Sequence, residues 1–185
     1  MSKCGATNLL NIFLKEFKNE SDRACVILSA AMIENELESL LKKKLVSSSK
    51  KTDNLFDNAT SALGTFSSKI DMAYRLGLIS KNLCRDIHII RKIRNQFAHD
   101  IYDCNFNNTV IIDKVKELES STQIVKQDLE FRDKFDGSTR GDFQMICAKI
   151  IFYLKSGRLN SSIITCIEKD KEWIYGNESH SNIES

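Results

Sequence analysis

The segment RKIRNQFAHD, Arg91 to Asp100, places an arginine, an asparagine and a histidine within six residues: Arg94, Asn95 and His99. Histidine titrates near neutrality and can move protons. Arginine offers a fixed fork of donors to phosphate. Asparagine can orient either of them. This set suits metal-independent RNA cleavage, in which protons move at the 2′-hydroxyl and the leaving oxygen while a cation offsets the charge of the phosphorane.

The segment lies on a strongly helical pattern running from about Lys81 to His99, with Ser80 as its cap. At about 100° per residue, Leu83, Ile87, Ile90, Phe97 and Ile101 share one side and bracket Arg94. Arg94 is therefore expected to face the core or a partner helix. A buried guanidinium costs several kcal/mol unless it is paired. Glu34, inside the apolar arc of an earlier helix, is the first candidate for that pairing; Glu36, Glu38 and Asp86 come second. On the opposite side, His88, Asn95 and His99 fall within roughly 40° of one another, flanked by Arg91 and Tyr102. Arg94 and His99 stand about 140° apart on a regular helix. They act together only if the helix distorts near Ala98, if Arg94 reaches around, or if two subunits face each other. A purely structural reading is equally physical: Asn95 and His99 satisfy carbonyls at a helix end, and Arg94 forms a salt bridge to Glu34.

The remaining elements are also helical. Leu9 to Phe17 gives a short first helix, and Asp22 to Val46 a long second one with Val26, Ala30, Ile33, Leu37, Leu40 and Leu41 as its stripe. The serine- and asparagine-rich stretch from Val46 to Gly64 reads as a loop. Phe66, Ile70, Ala73, Tyr74 and Leu76 mark the buried side of a third helix that stops at Gly77. Beyond the Arg94 helix, Val110 to Leu118 suits a short helix, and Ser120 to Phe135 is ambiguous. The apolar run from Phe143 reads as a buried helix ending at Gly157, and Leu159 to Tyr175 as one more. The expectation is an all-α, single-domain bundle of six or seven helices over residues 1–176, followed by a polar tail over 177–185 that includes His180. The absence of proline fits this reading.

Composition narrows the function classes. With 42% hydrophobic and 28% charged residues, the chain is a globular domain of ordinary length. A net charge of +2 provides no strong global field toward nucleic acid or membrane. Lys42, Lys43, Lys44, Lys50 and Lys51 form a local basic run, read chiefly as a solvated helix end and secondarily, with Arg91, as a nucleic-acid contact. The six cysteines, at 4, 25, 84, 104, 147 and 166, contain no C-x-x-C pair and read as reduced buried thiols rather than a zinc site or a disulfide framework. Phe143, Met145, Phe152, Tyr153 and Trp173 read as core. No leader or membrane span is apparent, so cytoplasm is expected, and no metal or cofactor is implied.

RNQFAH resembles the R-x4-6-H signature of the HEPN superfamily, helical domains that are commonly dimeric and include metal-independent ribonucleases of toxin and antiviral systems. Three longer blocks, SDRACVILSAAMIENELESLLKKKL, LGTFSSKIDMAYRLGLIS and DIHIIRKIRNQFAHD, together resemble the mannitol operon repressor family of bacteria, from Glu20 to about His99. The resemblance implies an α-helical regulator with a HEPN-like core and without a recognisable helix-turn-helix. The superfamily resemblance also implies a homodimer, and Ile89 and Ile93, outside the main stripe of the Arg94 helix, widen the surface wanting cover, by a second subunit or by the chain itself if the helix is central and fully buried. The ribonuclease signature, carried over, falls on Arg94, Asn95 and His99 with Glu34 as supporting acid. Ile101 stands where a subset of the superfamily has a modified tyrosine, with Tyr102 one further on.

Three readings follow: a non-catalytic regulator acting through protein or nucleic-acid contacts, a HEPN-type endoribonuclease, and a structural dimerisation module. The modest charge favours the first and third over avid RNA binding, the presence of all three signature residues keeps the second in play, and the regulator is the leading reading.

Overall fold

The computed structural model describes residues 15, 17, 19–49, 52–100, 104–121 and 136–160. Five helices stand among them: α1 (Asp22–Lys44), α2 (Phe66–Arg75), α3 (Lys81–His99), α4 (Thr109–Ser121) and α5 (Thr139–Asn160). There is no strand among the described residues. Most of the expected first helix, the Ser120 to Phe135 stretch, the last helix with Trp173, and the tail boundary lie outside the described residues.

Local chemistry sets the helix limits. The Ser21 hydroxyl accepts from the Ala24 amide at the start of α1, and Lys42, Lys43 and Lys44 face the negative end of its dipole. Thr65 and Ser68 form a reciprocal capping box at the start of α2. At its far end Gly77 adopts φ +69°, while the Leu78 amide donates to the Ala73 carbonyl and the Gly77 amide to that of Tyr74, each at 2.9 Å. Ser80 then caps α3 by accepting from the Leu83 amide at 3.2 Å. Gly157 does not stop α5, contrary to the sequence expectation. The helix runs through it to Asn160, and an interior glycine costs only about 1 kcal/mol.

The helices pack as a ring in the order α1, α2, α3, α4, α5 and back to α1, and α1 also touches α3 across the middle. Every stripe residue expected on α1 is buried. They meet Ile70 of α2, Ile87, Ile90, Ile93 and Phe97 of α3, Ile111 and Leu118 of α4, and Phe143, Ile146 and Leu154 of α5 in one core. Phe106, before α4, joins Phe97 to Phe143 by ring contacts with centroids at 5.6 and 5.5 Å. The start of α1 is a polar junction. Arg140 donates to Asp22 Oδ1 at 2.9 Å and to the carbonyls of Phe17 and Glu20, while Asp22 Oδ2 accepts from the Phe106 amide at 3.1 Å.

Three burial expectations need correction. Tyr153, read as core, is exposed, because it falls to the edge of the α5 stripe formed by Phe143, Ile146, Ile150 and Leu154. Tyr74 is exposed, and Lys69 takes its place on the inner face of α2. Phe66, Lys69, Ile70 and Ala73 follow the 3-4 spacing of a helical stripe, so the lysine sits in the arc itself. Its ammonium lies 2.9 Å from Glu34 Oε1 and 2.8 Å from Glu38 Oε2 of α1, which compensates its burial. Burial alone would lower the Lys69 pKa, but the bonds to Glu38 and Glu34 outweigh it and raise the pKa. Burial alone would raise that of Glu38, but bonds from Lys42 and Lys69 outweigh it and hold the carboxyl below its usual range. On α3, Ile89 and Ile93 are buried together with Ile87, Ile90 and Phe97. That wider arc puts Ile93 inside and leaves Arg94 half-buried at the edge. Ile89 and Ile93 are covered by the chain itself and so do not form a surface awaiting a second subunit.

Replacing Phe143 by alanine is expected to cost about 3–5 kcal/mol, because it empties a fully enclosed aromatic site. The exposed Tyr153→Ala change stays within about 0.5 kcal/mol, as chemical denaturation will show. The lysine bridge sets a pH signature. Glu38, with its depressed pKa, contributes stability above the unfolded carboxylate range and loses it as pH falls through its folded value. Lys69, with its raised pKa, contributes fully below about pH 10.4 and loses it as pH rises through its folded value. Urea midpoints measured across pH should therefore fall at both extremes in the wild type, with both declines reduced in Lys69→Met. Parallel curves would contradict the bridge.

Candidate functional site

The last two turns of α3 form a polar end on the bundle. Asn95, Gln96, His99 and Asp100 line a shallow, open depression of about 380 Å³. Residues from three helices brace it. Arg23 of α1 donates to the Asp100 carbonyl. Lys114 of α4 donates to Gln96 Oε1 at 2.6 Å. Arg94 of α3 bends along its own helix and donates from Nη1 to Asn95 Oδ1 at 3.0 Å. Neighbouring residues on a helix point about 100° apart, so this bond uses the length of the arginine side chain. The Asp100 amide closes the helix on the Gln96 carbonyl at 2.9 Å.

The sequence-nominated residues separate into two groups. Arg94, Asn95 and His99 do gather at this end: the first two are bonded to each other, and Asn95 and His99 border the same depression. Glu34 does not join them, because it pairs with Lys69. The expected Arg94–Glu34 bridge gives way because Lys69 comes from the inner face of α2 and needs that carboxylate more: it is more deeply buried than Arg94. Arg94, at the edge of the arc, keeps access to solvent. His99 is exposed and half-buried Asn95 is hydrogen-bonded, so both stand at the surface side of the helix end. His88, expected on the same face, lies eleven residues earlier, or about 16 Å along the axis, and bonds to Asp71 of α2 at 3.0 Å.

Lys42 pairs with Glu38 at 2.7 Å and lies 4.9 Å from the centroid of the Phe56 ring, a cation–π contact. Lys43 and Lys44 are half-buried. Lys50 and Lys51 lie outside the described residues, as do Ile101 and Tyr102. Arg91 is half-buried, and its Nε is enclosed with no hydrogen-bond partner among the described residues. Among the described residues, no helix is long and apolar enough to cross a membrane.

Sequence reasoning missed Arg23, Lys114 and Lys69. Lys69 carried a detectable signal, a cation at a stripe position. Arg23 and Lys114 carried none, since each reaches α3 only through the packing of its own helix.

Chemically, the α3 end presents an imidazole, an amide pair and guanidinium groups on an open surface. It can bind a polar partner with acidic or phosphate groups. It does not enclose one.

Comparison with known proteins matches residues 14–150, about three quarters of the chain, to a family model described as mannitol repressor. No curated protein sequence matches. Among solved structures, the chain resembles one described as the X-ray structure of the MtlR–HPr complex from Escherichia coli. The TM-score is 0.57 at 15% identity, covering 80% of this chain and 98% of that one. At that identity the likeness establishes the helical fold. The family match, with the helical bundle and the α3 end already described, places the chain in the mannitol repressor family.

Proposed function

We propose that the chain is a non-catalytic bacterial regulator of the mannitol-repressor type, which acts by docking a second protein onto the exposed end of α3. The observation that carries this reading is the open, braced surface at that end. Arg23, Arg94 and Lys114 fix Gln96, Asn95 and Asp100 in place from three helices. A surface preorganised in this way loses little conformational entropy on binding, and its guanidinium groups suit an acidic or phosphate-bearing partner. The solved E. coli relative, in complex with HPr, supports a protein partner and suggests HPr as the first one to test.

On this reading the protein works in the cytoplasm. A homodimer is retained from the family resemblance alone, since Ile89 and Ile93 are already covered. Nucleic-acid contact through Lys42, Lys43, Lys44, Lys50, Lys51 and Arg91 is a secondary route. The bond between Arg94 and Asn95, with His99 beside Asn95, supports a second reading as a HEPN-type ribonuclease. The commitment of Glu34 to Lys69 weighs against it.

Calorimetric titration with HPr from the same organism tests the docking surface. Wild type is expected to bind, and Arg94→Glu to bind at least about tenfold more weakly, a loss of about 1.4 kcal/mol. Equal binding by the two folded proteins, or none by either, would overturn the assignment.

A further inference from the structure

A second group of reactive side chains lies between α2 and α3, away from the docking end. Cys84 and His88 are four residues apart on α3 and therefore stand on one face, a turn from each other. Asp71 comes from α2. One ligand atom from each of the three lies within 4.8 Å of the other two. His88 Nε2 and Asp71 Oδ1 are already 3.0 Å apart. A tetrahedral ion about 2.0–2.3 Å from its nitrogen, oxygen and sulfur ligands holds them roughly 3.3–3.7 Å from one another. The observed separations are therefore within about 1.5 Å of that spacing. The imidazole, only 23% exposed, is held in place, while the carboxylate, 62% exposed, has room to adjust.

We propose that Asp71, Cys84 and His88 form a site for a thiophilic divalent transition-metal ion of the zinc type. The donor set selects the class: thiolate and imidazole favour zinc-like ions, whereas magnesium and calcium prefer all-oxygen sites. Three protein ligands leave a fourth position for water or an exogenous ligand. Without metal, burial first and the charge of Asp71 second push the Cys84 thiol up. A dication reverses that balance, taking the place of the thiol proton and standing between imidazole and carboxylate. The ion would tie α2 to α3 just after the Leu76 to Ser80 connection. This site stands independently of the docking surface.

Cobalt(II) titration of the metal-free full chain, with zinc(II) competition, tests the proposal. One cobalt per chain is expected, with a thiolate-to-cobalt charge-transfer band that zinc removes. Cys84→Ser should abolish the band and Cys104→Ser should keep it. Asp71→Asn, a change at an exposed position, should weaken binding beyond the roughly 10–100-fold typical of losing an outer-shell partner. Circular dichroism checks that each variant is folded. No uptake by the folded wild type, or a band that persists in Cys84→Ser, would overturn the site.

Discussion

A single buried ammonium decides how this bundle distributes its charges. Lys69 stands on the inner face of α2, where the helical stripe calls for an apolar residue. It persists there because α1 supplies two carboxylates one turn apart, Glu34 and Glu38, both within 2.9 Å. Removing one partner from such an arrangement leaves an uncompensated charge, which costs far more than the intact pairing contributes. The requirement holds α2 against α1 in one register. It also withdraws Glu34 from α3. Among the described residues, Arg94 then meets no inward acid, and its guanidinium bonds along the helix to Asn95. The polar end of α3 is surface-facing as a consequence of what happens on α2.

Much of the fold was legible in the sequence because its signals are local. Ser80 and His99 bound α3 as expected, and Gly77 ends α2 through a left-handed turn that only glycine adopts without strain. The α1 stripe is buried residue for residue. The failures occur where a local pattern meets a non-local partner. Tyr74 fits the α2 spacing but lies on the outer side once Lys69 is engaged with α1. Arg94 shares an arc with Ile90 and Phe97, yet Ile89 and Ile93 widen the buried face and turn it outward. Gly157 looked like a stop, but a glycine ends a helix only where the chain takes a positive φ.

The candidate site divides in the same way. The adjacency of Arg94, Asn95 and His99 was present in the spacing. Their bracing by Arg23 and Lys114 was not, since those residues reach α3 from other helices. The Asp71, Cys84 and His88 group is similar: the interval of four within α3 is visible in sequence, whereas the carboxylate arrives from a helix packed alongside. Family membership covers the bundle as far as residue 150 and is consistent with a regulator whose surface is built for contact.

The central claim is that the α3 end binds without catalysing. Its most direct test is incubation of folded wild-type protein, in excess, with total RNA in the absence of metal, alongside His99→Ala. The account predicts intact RNA in both samples. Cleavage by the wild type that disappears in His99→Ala would contradict it and identify Arg94, Asn95 and His99 as a ribonuclease centre.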